Sequence, residues 1–276
     1  AAILGTNPSL GARSPKLWNK FFSAIGVDLT MYPCDTNSSN ITALLDVLAA
    51  DPLFVGAAVA FPFKETVASY LSSTLSPLSF RCSSVNCIYR SKSGELFGTN
   101  TDGEAAVSCL IKALNVSNLS GKSILVLGTG GAAKSIISEL LDPIFQLKSL
   151  SVAYNSRPLS DVYLAKNNVS RQFPIVDLSQ SDVQCDVIIN CTKVGHETFM
   201  ARDFPFDQHL LTFIPKDAFI YDIIYQPLAT PFISWANSNG LSCLNGLSMN
   251  SLQAHLAISK VLPAVSSSEF TLSQIS

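Results

Sequence analysis

An apolar run that ends in a glycine-rich turn constrains the fold of this chain more than any other feature. Residues 123–127 have the pattern of a buried strand, and the glycine-rich turn that follows opens a helix. Such strand–turn–helix units bring a pyrophosphate to the N–H groups at the helix start. The pattern predicts a dinucleotide site, with a simple tight turn as the alternative. The candidate residues are Gly128, Thr129, Gly130, Gly131 and Ala132.

The rest of the chain alternates short apolar strands with helical segments, which is typical of layered α/β proteins. Strands are expected at residues 2–4, 55–61, 85–89, 96–98, 150–154, 187–189 and 219–223. Helices are expected at residues 14–22, 41–49 and 249–262, the first with Ser14 as its N-cap. Another helix is expected to start at residues 62–65, and one is expected to follow the glycine-rich turn and run to residue 141. The fold class that follows is α/β.

Composition limits the partners of the chain. Its 276 residues suffice for two modest domains or one large one, and 47% are hydrophobic against 14% charged. The net charge is −2 and no block of Lys and Arg stands out, so nucleic acid and membrane surfaces are not expected as partners. The Cys residues, 7 in number, show no CxxC or Cys/His metal spacing. We therefore expect reduced thiols, no metal site and a cytoplasmic location.

The residues that follow the second strand of the dinucleotide unit favour NADP over NAD. An acidic residue there binds the ribose 2′-hydroxyl of NAD, whereas an Arg suits the 2′-phosphate of NADP. The chain has Ser156 and Arg157 at this place and no carboxylate before Asp161. A solvated surface Arg is the alternative for Arg157, so NAD stays open.

Ordered motifs along nearly the whole chain resemble those of the shikimate dehydrogenase family. They are Gly5-Thr6-Asn7-Pro8 with Ser14-Pro15, the block at residues 56–64, Val85-Asn86, residues 98–103, the glycine loop, residues 190–195, residues 222–227, and Gly246, Met249 and Gln253-Ala254. The resemblance implies two α/β domains with a cleft between them. A substrate-binding and catalytic domain would comprise residues 1–102 and 240–276, and a Rossmann-type NADP-binding domain residues 103–239.

The resemblance also implies an activity and the residues that carry it. The activity is hydride transfer between NADP(H) and a ring alcohol or ketone, shikimate/3-dehydroshikimate or a close analogue, in aromatic amino acid biosynthesis. Lys64 and Asp102 match the catalytic pair, which would otherwise be an ordinary solvated Lys and a helix N-cap. The matched substrate-binding residues are Ser14, Asn86, Tyr225 and Gln253, and the cofactor-binding residues include Ser156, Arg157, Thr192, Val194 and Gly246 besides the glycine loop.

The chain departs from the family pattern on one side of the expected substrate. Ala12, Ala58 and Ala60 stand where the family has a Ser, an Asn and a Thr. A buried carboxylate left without donors would cost several kcal/mol, on the order of the penalty for an unpaired polar group. Either the substrate lacks that carboxylate, or another group such as Arg13 binds it.

Two further functions stay open. One is a quinate/shikimate dehydrogenase that uses NAD, and the other is a non-catalytic, ligand-sensing relative. In each case the expected partner is a small cyclic polyol or acid, and the chain would be a monomer or a homodimer.

Overall fold

A computed structural model describes residues 1–167, 169, 171–180, 183–197, 203–207, 211 and 213–263. The chain forms two compact units. The first contains residues 1–102 and the chain from Ser251 onward, and the second contains residues 103–250. Both units combine a β-sheet with α-helices, which confirms the predicted α/β class.

The first unit has a mixed five-stranded sheet in the order β2-β1-β3-β4-β5. Its strands are β1 (Ala2–Gly5), β2 (Tyr32–Asp35), β3 (Gly56–Val59), β4 (Cys87–Arg90) and β5 (Leu96–Thr99). Strands β1, β2 and β3 are parallel, whereas β4 runs antiparallel to both β3 and β5. Its helices are α1 (Ser14–Ala24), α2 (Ile41–Ala50), α3 (Lys64–Tyr70) and α4 (Pro77–Cys82).

Two apolar clusters form the core of this unit. One contains Trp18 and Phe22 of α1 together with Ala254 and Ile258 of the last helix, α9 (Leu247–Val261). The other contains apolar side chains of α2 and α3 packed with those of β1, β3 and β4. Burial of these helix faces on the sheet is the main stabilising term for short helices such as these.

The second unit has a six-stranded sheet in the order β11-β10-β9-β6-β7-β8. Its strands are β6 (Ser123–Leu127), β7 (Ser149–Tyr154), β8 (Arg171–Pro174), β9 (Val187–Asn190), β10 (Phe219–Asp222) and β11 (Cys243–Asn245), and every pairing is parallel. Its helices are α5 (Asp102–Leu114), which begins at the last residue of the first segment, α6 (Gly131–Leu140), α7 (Asp161–Lys166) and α8 (Pro231–Ser238). This is the strand order of dinucleotide-binding folds, and the chain reverses direction across the sheet beside β6.

Three strands, and helices such as α4, α7 and α8, were not predicted from the sequence pattern. Strands β2, β8 and β11 lie at sheet edges. The first two contain a Pro, and the third has only 3 residues. Proline is tolerated at an edge because a ladder hydrogen bond is not required on the open side. Ser14 is the first residue of α1, and Arg13 takes the N-cap position without a side-chain bond, so that cap prediction was wrong by one residue.

The chain returns to the first unit later than the sequence suggested. The expected start of the second segment was residue 240, but β11 pairs with β10 in the sheet of the second unit. Residues 240–250 therefore stay with the second unit, and the first resumes at Ser251. None of the helices in the described ranges has the length and apolar character needed to cross a membrane.

Candidate active site

Lys64 and Asp102 form an ion pair in the first unit. Lys64 is the first residue of α3, just beyond β3, and Asp102 follows β5 as the first residue of α5. The Lys64 Nζ lies 2.6 Å from Asp102 Oδ2, and the side chains are 20% and 6% exposed. The ammonium group is thus partly open to solvent while its carboxylate partner is almost fully enclosed.

A hydrogen-bonded set of side chains holds the carboxylate in place. The Asn86 Nδ2 donates to Asp102 Oδ1 at 2.8 Å and to Thr101 Oγ1 at 2.9 Å. The Thr101 hydroxyl donates to the Gln253 carbonyl oxygen at 2.9 Å, and the Gln253 Oε1 lies 3.4 Å from Asn86 Nδ2. Asn86 and Gln253, both predicted from the sequence, are therefore brought next to the Lys64–Asp102 pair.

Thr101 belongs to this set, although no role was predicted for it from the sequence. Its backbone N–H donates to Asn86 Oδ1 at 2.9 Å, so Thr101 binds both ends of the Asn86 amide. The one feature of the sequence that could have indicated its role is its position in the polar run between β5 and α5. The amide is fixed in one orientation by these bonds, and it presents its N–H groups to Asp102.

Arg13 and Ser14 lie at the beginning of α1, and both are half-buried. Their expected role toward a substrate carboxylate stays a prediction. Ala12, Ala58 and Ala60 all pack against the apolar cluster that contains α1 and α9. Each of these alanines is half-buried, so methyl groups reach the accessible surface where the family pattern has polar side chains.

Tyr225 and Gly246 belong to the second unit. Tyr225 is half-buried and follows β10. The Gly246 N–H donates to the Ile224 carbonyl at 2.9 Å. A Cβ at Gly246 would lie 1.9 Å from the Ile223 oxygen, so the close approach of two backbones requires glycine here. A direct contact of either residue with a ligand stays a prediction.

The glycine loop has the properties that a pyrophosphate requires. Gly128 has a φ of +106°, which favours glycine, and a Cβ at Gly130 would meet nothing within 4 Å. Gly130 caps α6 without a side-chain hydrogen bond, and the first turn contains no acidic residue. The N–H groups of that turn have no intrahelical acceptors, and the helix dipole adds partial positive charge. The residues present therefore fit a dinucleotide phosphate.

The end of β7 is tied to this loop. The Thr129 hydroxyl donates to the Arg157 carbonyl at 2.6 Å, and the Gly128 N–H donates to the Ala153 carbonyl at 2.8 Å. Ser156 and Arg157 are both exposed. The loop and the two candidates for 2′-phosphate binding are thus neighbours on the same side of the second unit.

Thr192 and Val194 follow β9 and are organised by a buried acid. The Thr192 hydroxyl donates to Asn190 Oδ1 at 2.8 Å and accepts from the Val194 N–H at 3.2 Å. The Asn190 Nδ2 donates to Asp222 Oδ1 at 3.0 Å. Burial raises the pKa of Asp222 to about 6, although hydrogen bonds from Thr230, Ile224 and Asn190 act to lower it. No role was predicted from the sequence for Asp222, Asn190 or Thr230, although the first two lie in recognised motifs.

Comparison with known proteins points to one family. The family model of the shikimate dehydrogenase substrate binding domain matches residues 5–88. Curated shikimate dehydrogenases (NADP(+)) from several strains of Streptococcus pneumoniae are 30% identical over 262 residues, which cover 92% of this chain and 88% of the relative.

Solved structures share the fold. A shikimate dehydrogenase in complex with NADP+ has a TM-score of 0.83 at 22% identity, over 99% of this chain and 92% of that chain. The enzyme from Thermus thermophilus in complex with NADP(H) and shikimate has a TM-score of 0.80 at 24% identity, over 99% and 95%. The length and identity of the curated matches, together with the fold, show that this chain belongs to the shikimate dehydrogenase family of oxidoreductases.

Proposed function

We propose that the chain is an NADP(H)-linked dehydrogenase that interconverts a ring alcohol and its ketone, with shikimate/3-dehydroshikimate or a close analogue as the substrate. The observation that carries this proposal is the Lys64–Asp102 pair, with Nζ and Oδ2 2.6 Å apart and Asn86 and Gln253 beside it. A sensing domain that only binds a ligand has no need of such a proton donor.

Lys64 donates or accepts the proton of the reacting oxygen. During ketone reduction the ammonium group stabilises the developing alkoxide and then donates its proton to it. Asp102 keeps the ammonium oriented, and the Asn86 amide fixes Asp102 from its other oxygen. NADP(H), when bound, supplies or accepts the hydride.

The second unit binds the cofactor in this proposal. The N–H groups at the start of α6 donate hydrogen bonds to the pyrophosphate. The loop is formed by Gly128, Thr129, Gly130, Gly131 and Ala132. Ser156 and Arg157 bind the 2′-phosphate, and Arg157 gives the preference for NADP over NAD. Thr192, Val194 and Gly246 line the cofactor further along the sheet.

The substrate is a cyclic polyol or acid held by Asn86, Gln253, Tyr225 and Ser14. Its carboxylate is either bound by Arg13 or missing, because Ala12, Ala58 and Ala60 offer only methyl groups. We further propose a cytoplasmic enzyme of aromatic amino acid biosynthesis that works as a monomer or homodimer, without nucleic acid or membrane partners.

A substrate and cofactor panel tests the proposal. The purified chain is mixed with shikimate, quinate or a carboxylate-free cyclitol, each with NADP+ and with NAD+, and reduction of the nicotinamide is followed by absorbance. The proposal expects turnover with at least one ring alcohol and a higher kcat/KM with NADP+. Binding of NADP+ without turnover of any ring alcohol would favour the sensing relative.

The same panel separates the two explanations for the alanines. If Arg13 binds the carboxylate, Arg13→Ala lowers kcat/KM for shikimate about tenfold or more and leaves the cyclitol unaffected. If the substrate lacks the carboxylate, the cyclitol is the better substrate, and Ala12→Ser combined with Ala60→Thr shifts the preference toward shikimate.

A further inference from the structure

Asp222 lies at the end of β10 in the second unit and is fully buried, with 0% of its surface exposed. Its Oδ2 accepts from the Thr230 hydroxyl at 2.6 Å. Its Oδ1 accepts from Asn190 Nδ2 at 3.0 Å and from the Ile224 N–H at 3.1 Å. Asn190 and Thr230 are likewise 0% exposed. The carboxylate therefore accepts hydrogen bonds from three donors in the interior of the second unit.

The carboxylate decides how the Asn190 amide is oriented. An ionised carboxylate only accepts hydrogen bonds, so Asn190 must direct its N–H groups to Asp222. The Asn190 Oδ1 consequently faces the other way, where it accepts from the Thr192 N–H at 3.1 Å and from the Thr192 hydroxyl at 2.8 Å. The Thr192 hydroxyl in turn accepts from the Val194 N–H at 3.2 Å. One buried acid thus sets the conformation of residues 190–194.

These residues form one wall of the glycine loop. A Cβ at Gly128 would lie 3.2 Å from Thr192 Cγ2 and 3.3 Å from the Cys191 oxygen. The Cys191 N–H donates to the Leu127 carbonyl at 2.9 Å, directly before the loop. A displacement of residues 190–194 would therefore be transmitted to the backbone of the glycine loop.

We propose that Asp222 is a positioning residue for the cofactor, which acts through Asn190 to hold residues 190–194 against the glycine loop in the arrangement that accepts NADP(H). Asp222 does not touch the cofactor in this proposal, because it is enclosed by Asn190, Ile224 and Thr230. The inference rests on the proposed function, since it assumes that the second unit binds NADP(H).

The test compares the affinity of full-length variants for NADP+, measured by calorimetric titration at neutral pH. Asp222→Ala removes the acceptor for Asn190, and we expect its Kd to rise about tenfold or more, which corresponds to at least about 1.4 kcal/mol. Asp222→Asn keeps an oxygen toward Asn190 Nδ2 and the Ile224 N–H, so its Kd should stay within about threefold of the wild type. KM for the ring substrate should change less than about threefold in both variants.

Thr230→Val is the matched control. It removes another hydrogen bond of the same carboxylate, together with the cap bond to the Ile233 N–H, but none of the bonds made by Asn190. The valine keeps the branched shape that packs beside Gly195. We expect Thr230→Val to lower the melting temperature while its Kd for NADP+ stays within about threefold.

Each result decides between the explanations. An unchanged Kd in Asp222→Ala, or an equal loss of affinity in Thr230→Val, overturns the positioning role and leaves only a contribution to stability. If Asp222→Ala does not fold, Asn190→Ser breaks the same chain of bonds one step later, and its Kd is judged by the same criterion. A wild-type chain that does not bind NADP+ contradicts the proposed function itself, and this inference with it.

Discussion

Replacement of Lys64 separates its role in the reaction from its role in the fold. Lys64→Ala removes the donor to Asp102 Oδ2, while the Asn86 bond to Oδ1 remains. The carboxylate is 6% exposed. A buried polar group that loses a donor costs about 1–3 kcal/mol, and a charged group in a sealed site costs more. Water can enter beside Asp102, because the Lys64 side chain is 20% exposed, so the larger penalty for a sealed ion pair does not apply.

This loss of stability is too small to unfold the first unit. Domains are stable by about 5–15 kcal/mol, so Lys64→Ala remains folded at room temperature. Loss of a proton donor in the transition state, by contrast, lowers turnover about 10²–10⁴-fold. We therefore expect kcat to fall by that factor in the absorbance assay, while chemical denaturation shows a change of no more than about 3 kcal/mol.

Lys64→Arg distinguishes charge from proton transfer. Arginine keeps a positive charge beside Asp102 but does not release its proton at any accessible pH. We expect it to recover much of the lost stability while kcat stays at least about tenfold below the wild type. Lys92→Ala, in the exposed turn between β4 and β5, serves as the control and should change neither quantity. An indirect effect on kcat is expected to be no more than about threefold. If kcat of Lys64→Ala is within about threefold of the wild type, the assignment of Lys64 as the proton donor is refuted.

Further perturbations test the second unit. Arg157→Ala should lower kcat/KM for NADP+ about tenfold or more while that for NAD+ is unchanged, and equal losses with both cofactors would exclude a 2′-phosphate contact. Gly246→Ala should destabilise the unit by about 1–3 kcal/mol or more in urea unfolding, because its Cβ would lie 1.9 Å from the Ile223 oxygen. Gly130→Ala has open space around its Cβ, so it should keep its stability but lose affinity for NADP+. The pKa of Asp222 rises from 3.8 to about 6 on folding, so the folded state binds the extra proton within this window and loses stability as pH rises through it. Asp222→Asn should abolish that trend. The difference in the free energy of unfolding between the wild type and the variant should then change by up to about 3 kcal/mol between about pH 4 and about pH 7. A difference that does not depend on pH would contradict the raised pKa.

The central strands and the glycine loop could be predicted from the sequence because local pattern determines them. Strand β6 is an unbroken apolar run, and the residues Gly128 and Gly130 leave few alternatives for the turn that follows. Edge strands such as β2 and β8 are short and partly exposed, and their formation depends on a neighbouring strand that no local pattern reveals.

The residues that support the candidate site were harder to predict for a related reason. Lys64, Asp102, Asn86 and Gln253 were predicted from motif resemblance, and composition alone would have left each of them an ordinary polar residue. The links made by Thr101 to Asn86 and to Gln253 join residues that are 15 and 152 positions apart in the chain. The bond between Asn190 and Asp222 spans 32 positions. Such pairings depend on how distant strands, turns and helices are brought together, which the local sequence pattern does not give.

The most direct test of the central claim is transfer of deuterium from the substrate to the cofactor. Shikimate, quinate and a cyclitol, each labelled with deuterium at the carbon bearing the reacting hydroxyl, are incubated separately with the chain and NADP+. The cofactor is then analysed by mass spectrometry. We predict that deuterium appears in the reduced nicotinamide with the wild type and is strongly diminished with Lys64→Ala. Bound NADP+ that gains no deuterium from shikimate, quinate or a cyclitol would contradict the account and favour a sensing role.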